Sequence, residues 1–388
     1  MKQFCVFFVL LFGIMHCGSI DLDKNNDELI FAHTLCRHGD RNPYYSFPND
    51  IWKAEEHWLP GGYKELTNIG KRQMYVLGQY LFGRYRNLLQ NGAYSPNTVY
   101  VQSTDIDRVL MSAQTCLTGM FYPSPEQMWM GSHLDWLPIP VHTQLHKEDY
   151  TLATYKRCNR FDYLMIEYLK TEEYTGLFKK YGSLFQYLEV NSGKKLPTLV
   201  DINDLYDTLS IQKLKGKQLP KWAESVMVPG GDFEYLSMFY FQIFTSTTGT
   251  KRLKSGFLLK EILDRFTKKT QSKLSPDRVL FLYFAHDNTI ANMLNSLGLY
   301  KLHHITYASC LFFELYKTDT RPYVEIFYKN SSETNIPLLL EIPNCGTKCP
   351  LDKLYQLYED ILPTQSFEKE CELRDGETMG RNPESGEL

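Results

Sequence analysis

Past its first two dozen residues the chain has no apolar run near the roughly 20 residues that a membrane helix needs, so no membrane anchor is expected there. It also lacks any long basic run, and its formal net charge is only -3. Both points argue against nucleic acid or an anionic membrane as a partner. There are no internal repeats and no low-complexity tracts. What is present is the material of a packed protein. Hydrophobic residues make up 43% and charged residues 22% of 388 residues, enough for one large domain or two moderate ones. The 27 Tyr and 23 Phe fit either general packing or an aromatic-lined pocket. At the start, Lys2, an apolar run from Phe4 to Ile14, and Cys17-Gly18-Ser19 read as a cleaved signal peptide over residues 1–19. Secretion in soluble form follows as an expectation.

Cysteine usage suits that compartment. Outside the signal segment stand Cys36, Cys116, Cys158, Cys310, Cys345, Cys349 and Cys371, an odd number that leaves at least one thiol unpaired within the molecule. Cys345-Gly-Thr-Lys-Cys349 has no second Cys or His pair close by, so a local disulfide is expected there rather than a zinc site. Asn330-Ser331-Ser332 is a glycosylation sequon.

Short apolar runs at Leu29–Cys36, Val99–Gln102, Val279–Ala285, Leu311–Tyr316 and Tyr323–Tyr328 have strand length and continuous burial character. Between them, Thr67 can cap a helix reaching Tyr85, with Met74, Leu77 and Leu81 on one face. Ser103 or Thr104 can cap another, with Asp105 and Asp107 in its first turn. Strands alternating with helices predict an α/β fold, a sheet sandwiched by helices, over 20–145 and 255–371. The Tyr-, Lys- and Leu-rich stretch 146–254 is expected to be a smaller, mostly helical cap domain inserted into it. Residues 372–388 are polar and acidic and are expected to be disordered.

Two polar clusters follow apolar strands. Arg37-His38-Gly39-Asp40-Arg41-Asn42-Pro43 ends the first run, and His286-Asp287-Asn288 ends the one from Val279. Sites in open α/β sheets form beyond the carboxyl ends of strands. Two guanidiniums flanking an imidazole suit a tetrahedral dianion, because Arg presents a fixed, permanently charged fork. A second His can donate to an oxyanion, and a neighbouring carboxyl can pass a proton to a leaving group.

Residues 37–43 resemble the RHGxRxP signature of the histidine phosphatase superfamily on its acid phosphatase branch, the histidine acid phosphatases (branch 2). Ser103-Thr104-Asp105-Ile106-Asp107-Arg108, Pro138-Ile139-Pro140-Val141-His142, Tyr307-Ala308-Ser309-Cys310 and Cys349-Pro350-Leu351 extend the likeness along the chain. The resemblance implies a phosphoglycerate-mutase-like sheet and hydrolysis of phosphate monoesters without metal or other cofactor. It makes His38 the nucleophile and Asp287 the proton donor, with Arg37, Arg41 and His286 holding the phosphoryl oxygens. It further implies Cys158–Cys371 and Cys345–Cys349 disulfides and leaves a homodimer open.

The chain departs from the family pattern at two places. Gln102 stands directly before Ser103-Thr104-Asp105, where relatives carry Arg, and is expected to take that residue's place at the phosphate. Arg108, a turn further on, is the candidate substitute. Cys310 lacks its usual partner, since 204–217 holds no Cys; Cys36, Cys116 and Cys310 are therefore expected to be small buried apolar residues. The two functions that follow are an acid phosphatase weakened at Gln102, or a secreted protein binding a small ligand such as a biogenic amine or lipid mediator.

Overall fold

The computed structural model describes residues 27–90, 92–332 and 336–384, so the expected signal segment lies outside the described residues. The strands are β1 (Glu28–Arg37), β2 (Val99–Ser103), β3 (Leu280–Ala285), β4 (Cys310–Lys317), β5 (Tyr323–Lys329), β6 (Leu338–Leu339) and β7 (Cys349–Pro350). They form one sheet in the order β2–β3–β1–β4–β5–β6, with β7 beside β5. β2, β3 and β1 run parallel, while β4 and β5 are antiparallel to their neighbours. The three parallel strands therefore end on the same edge, and both polar clusters meet there.

The helices in chain order are α1 (Asn68–Tyr85), α2 (Asp107–Met120), α3 (Asn159–Leu169), α4 (Glu172–Lys180), α5 (Gly182–Ser192) and α6 (Leu199–Leu214). There follow α7 (Lys221–Val226), α8 (Asp232–Ile243), α9 (Thr248–Lys251), α10 (Phe257–Thr270), α11 (Asp287–Ser296), α12 (Leu351–Leu357) and α13 (Phe367–Glu370). α1 and α2 cover one face of the sheet, packing Met74, Leu77, Leu81, Val109 and Leu117 on Ala32, Val101, Leu282 and Phe312. α10 and α11 cover the other, setting Ile262, Phe266 and Ile290 on Phe31, Leu35, Phe281 and Phe313. Each such side chain contributes about 1.5–3 kcal/mol on burial, which accounts for strands that read as continuous apolar runs. Among the described residues, 146–254 contains helices α3–α9 and no strand.

Two expectations need correction. α2 does not start at Ser103 or Thr104: its N-cap is Ile106, and the Thr104 hydroxyl pairs with the His286 ring instead. Cys36 and Cys310 are not two separate thiols. They face each other across β1 and β4 and are joined as a disulfide, beside Cys158–Cys371 and Cys345–Cys349. Among the described residues Cys116 alone stays free, on the buried face of α2. In the tail most side chains of 372–383 are exposed, while Asn382 and Glu384 are buried. Glu384 accepts the backbone N–H groups of Leu199 and Val200 at 2.8 and 2.9 Å, and the Tyr174 hydroxyl as well. A carboxylate at the positive end of α6 anchors a segment that composition alone marks as solvated.

Candidate active site

β1 delivers Arg37 and His38 to the sheet edge, and the backbone then turns sharply against the start of α1. Gly39 is needed for that approach: a Cβ there would lie 2.4 Å from the carbonyl oxygen of Gly70. His38 is buried, and its Nδ1 sits 2.8 Å from the Gly39 carbonyl oxygen. A carbonyl can only accept, so Nδ1 carries the proton and the Nε2 lone pair accepts from Arg108 Nε at 3.4 Å. Burial, followed by the charges of Arg108 and Arg37, holds the His38 pKa well below the usual histidine range. The ring is therefore neutral, with a long contact from Arg108 at its unprotonated nitrogen.

Three guanidiniums surround it. Arg37 gives one terminal nitrogen to Asp287 at 2.6 Å and the other to the Ile305 carbonyl oxygen. Arg41 is gripped by Asp207 of α6 at 3.0 and 3.2 Å. In both, Nε is buried and has no partner. Arg108, in the first turn of α2, places its Nε 3.4 Å from His38 Nε2. It is 7% exposed, and among the described residues no carboxylate lies within ion-pair distance of it. Burying a cation without a counterion is costly, so the site is built to receive an anion.

His286 caps α11, where its ring accepts the Thr289 backbone N–H, and its Nε2 lies 3.1 Å from the Thr104 hydroxyl. Burial, then Arg108, pushes its pKa down to about 3, so it too is neutral and presents Nε2–H. Burial pushes the Asp287 carboxyl up, but Arg37, Arg41, His286 and the Asn288 backbone N–H together hold it below the usual carboxylate value. In the free site Asp287 is thus the ionised partner of Arg37 rather than a standing acid. Tyr307 lies against Arg37, 4.3 Å from guanidinium carbon to ring centre, and Tyr44 lies against Arg108 at 5.2 Å. These residues border a cavity of ≈ 1240 Å³ whose other walls come from α6, the 153–162 segment and the tail residues Gly380–Asn382.

The fold gathers His38, Arg37, Arg41, His286 and Asp287 at one edge of the sheet. Gln102 does not join them. It is buried on β2, paired in register with Tyr283 and bridged to His142, and does not line the cavity. The third cation is Arg108, because the helix starts at Asp107 and its first turn points back at His38. Sequence reasoning missed Asp207, Tyr44, Tyr155 and Tyr307. Asn330, the sequon residue, is half-buried, donates to the His304 carbonyl oxygen at 3.0 Å and accepts from Thr306 and Ser309. It ties down the loop that holds Arg37.

A neutral imidazole set among three cations at the carboxyl ends of parallel strands makes a pocket suited to a tetrahedral oxyanion. The family model of the histidine phosphatase superfamily (branch 2) matches residues 28–329, and the chain belongs to that family. It is 37% identical to the prostatic acid phosphatase of Rattus norvegicus over 366 residues, covering 93% of this chain and 94% of that protein. Against the lysosomal acid phosphatase of the same organism, identity is 36% over 351 residues, covering 89% and 80%. Among solved structures, the Hafnia alvei phytase in complex with tartrate matches with a TM-score of 0.66 at 16% identity, over 90% of this chain and 99% of that one. That likeness concerns the fold.

Proposed function

We propose that the protein is a secreted acid phosphatase that hydrolyses phosphate monoesters through a phosphohistidine intermediate. The observation that carries this reading is Arg108, a buried cation without a carboxylate, whose Nε donates over 3.4 Å to the unprotonated Nε2 of His38 and is released when a phosphoryl oxygen takes its place. The phosphoryl group supplies the missing counterion and lies where Nε2 can reach phosphorus. Arg37 and Arg41 present their unpartnered Nε–H groups to oxygens whose charge grows in the transition state, and His286 turns its Nε2–H to them from the Thr104 hydroxyl. His38 bonds to phosphorus as the ester oxygen leaves, splitting hydrolysis into two steps.

Asp287 passes a proton to the departing alkoxide and then takes one from the attacking water. Its ionisation in the free site rests on Arg37, for which the bound phosphate competes; two anions sharing one guanidinium raise the carboxyl's proton affinity. Low pH supplies that proton, which is why an acidic optimum is expected. Three disulfides fit an oxidising compartment. Among the described residues no helix is long and apolar enough to cross a membrane. The ligand-binding alternative rested on a lost cation, and Arg108 removes that premise.

The test is hydrolysis of a chromogenic phosphate monoester near pH 5, with alkaline quenching to trap phosphate on His38. His38→Ala should lower turnover by at least about 10⁴-fold while melting at the parent temperature. Turnover that survives this substitution would remove the phosphohistidine assignment.

A further inference from the structure

α6 touches the catalytic loop through one side only. Thr208 donates to the Tyr45 carbonyl oxygen at 3.2 Å, and Gln212 donates to both oxygens of Asp50 at 3.0 Å. Lys215, just past the helix end, reaches Asp40 at 2.6 Å. Asp207 lies on the same side, but its partner differs in kind, since Arg41 is one of the groups that face the phosphate. Its two carboxylate oxygens take one N–H from each terminal nitrogen of Arg41, and the Asn42 carbonyl oxygen takes a second from Nη1, while Nε has no partner. Arg37 is held in the same manner from within the core, by Asp287 and the Ile305 carbonyl oxygen, and its Nε has no partner either. The site thus contains two guanidiniums pinned from behind, one by the sheet domain and one by the cap.

A carboxylate in that position has an electrostatic cost. Asp207 lines the cavity with a side chain 24% exposed, and it repels the dianion that Arg41 attracts. A charge that weakens binding of the substrate is compensated only if it strengthens the transition state more. Fixing the fork does that, because an oriented donor needs no rearrangement as charge develops on the phosphoryl oxygens.

We propose that Asp207 is a positioning residue of the cap that fixes Arg41, giving up some ground-state attraction for phosphate in exchange for orientation in the transition state. The proposal deepens the phosphatase reading and rests on it. It also makes turnover depend on correct docking of α6.

Asp207→Asn in the full chain should lower kcat by about 10- to 100-fold. Affinity for vanadate, which mimics the five-coordinate phosphorus, should fall in parallel. Affinity for inorganic phosphate should stay within about threefold or rise, because a negative charge has left the cavity. Asp207→Glu keeps the charge and the contact to the loop but displaces the fork by one methylene; it should lose at least about fivefold in kcat, and it covers the case in which the Asn variant does not fold. Lys215→Met breaks another contact of the same helix without touching Arg41. It should lower the melting temperature and leave kcat within about threefold. An Asp207 variant with parental kcat and vanadate affinity overturns the proposal, and so do equal kcat losses in the Asp207 and Lys215 variants. A parent chain without turnover would instead sink the phosphatase reading, and the vanadate comparison alone would then decide the role of Asp207.

Discussion

The two halves of the pocket are made differently. The sheet side takes Arg37, His38, His286 and Asp287 from residues that directly follow β1 and β3, so their positions are set by main-chain hydrogen bonds and parallel register. The cap side takes Asp207 and its neighbours from α6, which is positioned by side chains: Thr208, Gln212 and Lys215 on the catalytic loop, and Glu384 at its N-terminus. The first half tolerates little movement. The second seats α6 in the core through Leu199, Ile202, Leu205 and Leu209 and aligns it with polar contacts that govern how far one of the three cations is free to turn.

That difference yields predictions of decreasing size. The largest falls on the sheet side. Arg108→Ala should lower kcat by about 10²–10³-fold at a nearly unchanged melting temperature, and steady-state kinetics with a chromogenic ester would measure it. A loss below tenfold would mean that Arg37 and Arg41 suffice and that Arg108 is not the third phosphate ligand.

The next falls on the cap and concerns stability. Burial, opposed by Lys194 and reinforced by Asp207 and Asp201, raises the Asp204 pKa to about 7. A carboxyl whose folded pKa lies above its unfolded one contributes stability that is complete below about pH 4 and is lost as pH rises through about 7. The parent should therefore melt a few degrees lower at pH 8 than at pH 5, and Asp204→Asn should flatten that slope. Identical slopes in the two proteins would show that Asp204 is not held neutral by the cap.

The smallest effect is expected at Gln102. Gln102→Arg should leave kcat and vanadate affinity within about twofold, because the side chain stands off the cavity; its measurable consequence should be a lower melting temperature from burying a charge without a partner. A tenfold gain in turnover would bring Gln102 into the phosphate site after all and return Arg108 to the periphery.

The same contrast explains what could be read beforehand. Polar clusters that terminate apolar strands are visible in one dimension, since the strand and the cluster are contiguous. The fold class and five site residues were legible for that reason. Arg108 was weighed against Gln102 on adjacency to the strand, but the helix begins three residues later than its acidic stretch suggests, and one turn of α2 then carries Arg108 back to His38. Nothing in the local pattern separates Asp207 from any other acid on a helix, because its role depends on which element α6 meets. Cys36 and Cys310 become partners only once β4 is known to lie antiparallel to β1. Glu384 sits in a tail of unremarkable polarity and becomes fixed only through the N-terminus of α6.

α6 also divides the protein's capacity to change. One side, Asp207, Thr208, Gln212 and Lys215, is committed to the loop that carries the nucleophile. Other positions on the same helix, among them Asn203, Tyr206, Ser210 and Leu214, line the cavity without those obligations. A lineage, or a directed library, can therefore alter which leaving groups fit by varying the second set while the first stays constant. New specificity is then reachable in single steps that do not pass through an inactive enzyme.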